Sequence, residues 1–339
     1  MSDPQLMQCM EIWGGNLAAD QHVTLAGLDC WVYCQPYGGA EGGGDVYYLS
    51  ACATQRILRL LVADVSGHGS EVQATANELR KLMRRYVNQL DHLKFVRSMN
   101  KRFSAMASAG LFATAVVSTF FAPTGELTLC NAGHPAPLLY RQAQQKWEYL
   151  QPAKPDPNAA APVRSEAERA AIAKGDAVPV NLPLGIIAEV EYQTFDVELD
   201  VGDLVLCYTD SLVEARRVGG ELIGQDGLLS IMQQQDLKGS RSELLAAVRT
   251  AIAKESDGAL HLDDVTMLLF SPNGQGRNRL GLGNRVDAVK HLVGAVVDRL
   301  SGKNEPIPWP DLKVENVGGA LFSPLNHWSH KRKKKKRGG

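Results

Sequence analysis

The sequence predicts an α+β fold whose strands are mostly antiparallel, and three observations carry that expectation. Between about residues 22 and 150, β-branched and apolar runs alternate with turn signals. A single helical block interrupts them. Most successive runs are joined by links too short for a crossover helix.

Taken in order, the strand patterns fall at 28–35, 45–53, 56–65, 111–122, 126–131 and 137–141, with tight links such as Thr54-Gln55 and Pro123-Thr124-Gly125. The helical block starts after Gly69. There Val72, Ala76, Leu79, Met83, Tyr86 and Leu90 recur at alternating spacings of four and three, which marks one apolar helix face. A second helix is expected over 92–107, with Val96, Met99, Phe103 and Met106 on its face, so that the two form a hairpin against a sheet. Residues 151–180 are rich in Pro and Ala and poor in large apolar groups, as in an insertion or lid. Strands resume at 194–199 and 203–208, a helix follows at 240–254, and 265–270 is the last strand.

From Ser271 the chain turns to Gly, Asn and Arg, a linker composition. The expected organisation is an N-terminal segment (1–21), a body (22–272) and a C-terminal extension (273–339). In that extension Leu282, Val286, Val289, Val293, Val296 and Leu300 form an apolar seam that needs a partner, and the chain ends in a low-complexity basic tail.

The 339 residues carry a net charge of −1, but Lys331 to Arg337 is a run of seven cations, which leaves −8 on the rest. That balance disfavours a globally basic nucleic-acid binder and leaves an acidic body with a basic tail. The tail reads either as a solvated end or as a weak contact for anionic lipid or nucleic acid. No run approaches the roughly 18 apolar residues of a membrane span, and the N-terminus lacks a leader pattern, so a cytoplasmic protein is expected. Six cysteines lie scattered in apolar segments with no CxxC, which suggests buried thiols rather than a disulfide framework or zinc site.

Four aspartates share one setting, a strand end beside a turn or small residues: Asp45 in GGGDVYY, Asp64 in LLVADVSGHG, Asp210 in LVLCYTDS and Asp263 in HLDDVTMLLF. Singly, each reads as a turn former or cap. Side by side at one edge of the sheets, four carboxylates would repel unless cations compensated them, and hard Mg²⁺ or Mn²⁺ suits oxygen donors. Two such ions activate water for phosphoester hydrolysis. His68 and His134 are candidates for the proton donor to a serine leaving group, with loop or turn bracing as the alternative for both. Ser66 lacks the GxSxG setting of a nucleophile, no nucleotide-cradle motif occurs, and Arg56 and Arg59 are candidate phosphate contacts.

The motifs GGDVY (43–47), ADVSGHG (63–69), FATAVV (112–117), NAGHPAPLL (131–139), LPLG (182–185), YTDSLVEA (208–215) and DDVT (263–266) occur in order over about 22–272. Together they resemble the metal-dependent protein phosphatases of the protein phosphatase 2C type, in the branch of stage II sporulation protein E and RsbU. The resemblance implies a two-layer antiparallel β-sandwich flanked by α-helices, with two Mn²⁺ or Mg²⁺ ions at one end and a third as an option. Carried over by position, it makes Asp64 the ligand bridging both ions and the Val65 main-chain carbonyl its neighbour. Asp210 and Asp263 become direct ligands, Asp45 binds directly or through water, and Asp264 is a supporting or third-metal residue. Ser211 departs from the family, which usually has Gly there.

The implied activity is hydrolysis of phosphoserine or phosphothreonine on a bacterial signalling protein, with a phosphorylated anti-sigma-factor antagonist (a STAS-domain protein) as the suspected substrate. The C-terminal helix is a candidate contact for a regulatory partner. The branch also implies that the helix pair over about 70–107 acts as a switch ordering the metal site. The alternative is a catalytically weak signalling module that binds through the same fold, against which the retention of all four aspartates argues.

Overall fold

The structure, a computed structural model, describes residues 9–52, 54–67, 70–106, 110–152, 180–256 and 263–276. Its strands are β1 (Cys9–Gly15), β2 (Ala19–Thr24), β3 (Leu28–Gln35), β4 (Asp45–Cys52), β5 (Ile57–Val65), β6 (Ala113–Phe121), β7 (Glu126–Ala132), β8 (Leu138–Arg141), β9 (Lys146–Tyr149), β10 (Phe195–Glu198), β11 (Leu204–Tyr208) and β12 (Val265–Pro272). The helices are α1 (Ser70–Tyr86), α2 (His92–Met106), α3 (Ser211–Glu214), α4 (Gly224–Gln233) and α5 (Arg241–Glu255).

Two six-stranded antiparallel sheets result, in the orders β1-β4-β5-β6-β7-β10 and β2-β3-β12-β11-β8-β9. The period-two alternation of strand side chains sorts the apolar residues into three layers. On β5, Leu58, Leu60 and Val62 join Leu268 and Phe270 between the sheets, while Leu61, Ala63 and Val65 join Val72, Leu79, Phe95 and Phe103 beneath α1 and α2. On the far side, Leu206 and Met267 pack against Leu228, Leu245 and Val248 of α4 and α5. β4 and β5 are therefore apolar on both faces, which is why they read as continuous apolar runs. Each fully buried Leu or Phe here contributes about 1.5–3 kcal/mol by leaving water.

The helices form as their spacing predicts. Val72, Ala76, Leu79 and Met83 of α1 are all buried. In α2 the buried face is Phe95, Val96, Met99 and Phe103 with Asn100 among them, whose amide donates to the carbonyls of Ile187 (2.8 Å) and Ala188 (3.0 Å). Met106, expected on that face, is 37% exposed, because the covered stripe ends at Phe103. α5 opens with a capping box, Ser240 accepting from the Glu243 N–H and the Glu243 carboxylate accepting from the Ser240 N–H.

The sheets begin at Cys9, ahead of the expected start at residue 22. β1 pairs with β4 and β2 with β3, so residues 9–21 contribute to the sandwich. These strands escape a pattern search because β2 (ADQHVT) is an exposed edge strand with a polar sequence and β1 carries two glycines. Most of the expected 151–180 insertion, and the apolar seam and basic tail of the extension, lie outside the described residues. All six cysteines are free and buried; burial pushes the Cys207 thiol up to about 12. Among the described residues no helix is long and apolar enough to cross a membrane.

Candidate metal centre

The acidic residues converge because of strand register. Asp45 opens β4 and pairs directly with Asp64 near the end of β5. Like charges set opposite each other in an antiparallel pair are destabilising, so this placement calls for compensation. Both side chains follow the alternation that carries Leu49 and Leu60 into the space between the sheets, and thus project at the mouth of the sandwich. The second sheet brings its own pair, since β11 and β12 are hydrogen-bonded neighbours and Asp210 follows the end of one as Asp263 precedes the start of the other.

Electrostatics confirms that the groups feel one another. Burial pushes the Asp64 carboxyl up to about 7, reinforced by Asp210, Asp263, Asp264 and Glu214. Asp210 is raised to about 6, by burial first and then by Glu214 and Asp263. Asp45, 1% exposed, is held well above the usual carboxylate range by burial and then by Asp64 and Asp264. Asp263 is raised by burial, which outweighs the bond its carboxylate accepts from the Asp264 N–H. The largest influences on Asp64 are thus desolvation and other carboxylates, both of which disfavour its charge.

A supporting frame fixes this cluster. The Asp264 carboxylate accepts from the backbone N–H groups of Tyr37 (2.6 Å) and Gly44 (2.6 Å), tying the loop before β4 to the start of β12. A Cβ on Gly43 would collide with that carboxylate, which is why the position needs glycine. Asp264 therefore acts as a loop clamp, the supporting role among those expected for it. The Thr209 hydroxyl donates to Asp45 Oδ2 at 2.8 Å and itself accepts from the Thr266 N–H at 3.0 Å. Val65 donates its N–H to the Gly44 carbonyl, and its own carbonyl lies against Gly44. Ser211 begins α3 with a φ outside the left-handed region, so the serine that departs from the family adds no backbone strain.

Glu214 and Thr209 are contributions that sequence reasoning did not single out. Glu214 was the more legible, four residues after Asp210 and hence one helical turn away. His68 lies outside the described residues. His134 is 6% exposed with both ring nitrogens engaged, and burial pushes its pKa down to about 4, so it is a neutral internal group rather than a proton donor. Ser66 accepts from the Phe112 N–H at 3.0 Å and braces the loop after β5. The arginines do not serve the site. Arg59 is 1% exposed, points to the helix side of β5, stacks 4.5 Å over Phe95 and donates to the Gln89 carbonyl. Arg56 stands eight positions from Asp64, about 26 Å along an extended chain.

The donor set is tested by its own chemistry. Asp45, Asp64, Asp210, Asp263 and the Val65 carbonyl offer only hard oxygens, and burial first, then neighbouring carboxylates, raises the pKa of each of the four aspartates. Among the described residues, no three His, Cys, Asp or Glu side chains are already drawn into an ion-holding arrangement. Oxygen donors with mutually repelling charge fit Mg²⁺ or Mn²⁺, which would relieve that repulsion.

Comparison with known proteins agrees with this architecture. The family model of stage II sporulation protein E (SpoIIE) matches residues 54–176 and 163–273, more than half of the chain. The phosphoserine phosphatase RsbU of Bacillus subtilis (strain 168) is 22% identical over 264 residues, which cover 75% of this chain and 69% of RsbU. The PP2C phosphatase domain of SpoIIE from Bacillus subtilis, solved with a fragment of its regulatory domain, superposes with a TM-score of 0.55 at 17% identity, covering 73% of this chain and 64% of that one. RsbX in complex with magnesium gives 0.51 at 15% identity, covering 75% and 100% respectively. The two antiparallel sheets with flanking helices are thus the PP2C-type fold, and the chain belongs to the stage II sporulation protein E family.

Proposed function

We propose that this chain is a metal-dependent serine/threonine protein phosphatase that hydrolyses phosphoserine or phosphothreonine on a bacterial signalling protein. The observation that carries the reading is the convergence of Asp45, Asp64, Asp210 and Asp263 at one mouth of the sandwich, with carboxyl pKa values raised by burial and by one another. Asp64, which feels Asp210 and Asp263 of the other sheet and is felt by Asp45 of its own, would be the central ligand of the ions. Asp45, Asp210, Asp263 and the Val65 carbonyl complete the oxygen donors. Bound there, Mn²⁺ or Mg²⁺ supplies Lewis acidity that polarises a phosphoryl oxygen and activates water near neutral pH.

The chain's own residues hold that chemistry in place. Thr209 orients Asp45, Asp264 clamps the glycine loop, and Ser66 fixes the turn after Asp64. His68 is the candidate proton donor to the leaving serine. The suspected substrate is a phosphorylated anti-sigma-factor antagonist of STAS type, supported by the likeness to RsbU. A regulatory partner at the C-terminal apolar seam, and weak contact of the basic tail with anionic lipid or nucleic acid, belong to the same reading.

The test is phosphate release from a phosphoserine protein with Mn²⁺, comparing wild type with Asp64→Asn. Wild-type turnover that chelation abolishes and Asp64→Asn lacks supports the proposal. Turnover that survives either treatment sinks it.

A further inference from the structure

His134 follows β7 in a turn, buried and with both ring nitrogens engaged, and its imidazole is placed with care. Nε2 faces the Tyr208 carbonyl at 2.9 Å. A carbonyl only accepts, so Nε2 carries the hydrogen, and Nδ1 is left to accept from the Thr114 hydroxyl at 2.8 Å. Tyr208 ends β11 in one sheet, while Thr114 lies in β6 of the other. The ring is therefore a rung of fixed length spanning the two sheets.

Its two ends land beside the acidic cluster. Thr114 is the register partner of Asp64, and Tyr208 precedes Asp210 by two residues. The rung itself does not swing, because the His134 N–H donates to Asn131 Oδ1 and its carbonyl accepts from Asn131 Nδ2, both at 2.8 Å. A second polar link across the mouth, Thr209 to Asp45, uses a carboxylate oxygen that a cation would claim, and a third runs from the Gly44 N–H to the Asp264 carboxylate. His134 uses none of the cluster's donor atoms. Bracing the turn requires only the Asn131 pair. An apolar side chain would fill the remaining space without burying two polar nitrogens, each of which is costly unless paired.

We propose that His134 is a positioning residue that sets the separation of Asp64 and Asp210 across the mouth of the sandwich. This rests on the reading of the four carboxylates as a metal centre. Holding ligands from two sheets at a fixed spacing is what an ion-binding site needs before the ion arrives, and groups that orient ligands from behind typically change metal affinity about 10–100-fold when removed.

The experiment titrates Mn²⁺ calorimetrically into metal-stripped full-length protein, with circular dichroism and Tm for every variant and kcat and KM on a phosphoserine peptide. His134→Phe keeps the ring volume and removes both bonds. His134→Gln restores a donor toward Tyr208, and Thr114→Val removes only the hydroxyl. The expected result is Mn²⁺ binding about tenfold weaker in His134→Phe with native circular dichroism, a fall in kcat larger than the change in KM, and partial recovery in His134→Gln. Should His134→Phe fail to fold, Thr114→Val carries the test and binds Mn²⁺ several-fold more weakly. Wild-type Mn²⁺ affinity in a folded His134→Phe, or in Thr114→Val where that variant carries the test, overturns the proposal while leaving the metal centre standing. Failure of the wild type itself to bind Mn²⁺ overturns the metal-centre reading and this proposal with it.

Discussion

Replacing Asp64 by Asn should stabilise the metal-free protein while abolishing its response to metal. The Asp64 carboxyl moves from 3.8 to about 7 on folding, so above pH 7 its charged form is disfavoured in the native state by about 4 kcal/mol. The side chain is only partly covered, and screening reduces that figure; about 2 kcal/mol is the gain to look for. For a body of this size that corresponds to about 4–8 °C in Tm. The sign follows from the direction of the shift. A carboxyl raised on folding destabilises above its folded value and ceases to do so below its unfolded one, so the advantage of Asn is full near pH 8, shrinks through pH 7 and vanishes near pH 4. Differential scanning fluorimetry in chelator at pH 8, 6 and 4 reads this directly. Adding Mn²⁺ should reverse the ranking, since a ligand at 100 times its Kd stabilises only the protein that binds it, by about 2.7 kcal/mol. A metal-free Asp64→Asn protein that melts at or below wild type at pH 8, or that keeps the full Mn²⁺-induced rise in Tm, would refute the reasoning.

Gly43→Ala drives a methyl group into the Asp264 carboxylate and should cost about 1–3 kcal/mol in chemical denaturation, together with weaker Mn²⁺ binding as the loop releases Asp45. Ser240→Ala removes half of the α5 capping box and should cost about 1 kcal/mol in the same assay, with phosphatase activity unchanged. His92 and His134 are kept neutral by burial, with pKa values lowered to about 3 and about 4. Each should therefore withdraw up to about 1.4 kcal/mol of stability per pH unit as pH falls below 6.5, and His92→Gln should flatten the acid limb of the stability profile if it folds.

Much of this molecule is legible in its sequence. The strands at the centre of each sheet announce themselves because both faces are apolar, and α1 because Val72, Ala76, Leu79 and Met83 keep a strict helical spacing. The edge strands β2 and β9 were hidden, since an edge exposed to water tolerates polar residues such as Asp20, Gln21 and Glu148. At the site, Asp45, Asp64, Asp210 and Asp263 stood out by their position at strand ends. That Asp45 faces Asp64 depends on register, which no local pattern states. Arg59 misled for a related reason. It was one of two candidate phosphate contacts, but its odd spacing from Asp64 on one strand puts it on the opposite face, beneath α2. His134 likewise has no local signal, because its partners Thr114 and Tyr208 come from two different sheets.

The facing of Asp45 by Asp64 also bears on how the sheet avoids assembling wrongly. β4 and β5 are buried on both faces, so their apolar residues alone scarcely distinguish the native alignment from one displaced by a single position. The acidic ends do distinguish them. A one-residue slip of either strand would turn its carboxylate away from the open mouth and into the oily layer beneath α1, where an unpaired charge is prohibitive. The carboxylates proposed to hold metal thus serve a second purpose as alignment marks, and a variant with both aspartates made apolar would lose its safeguard against mispairing.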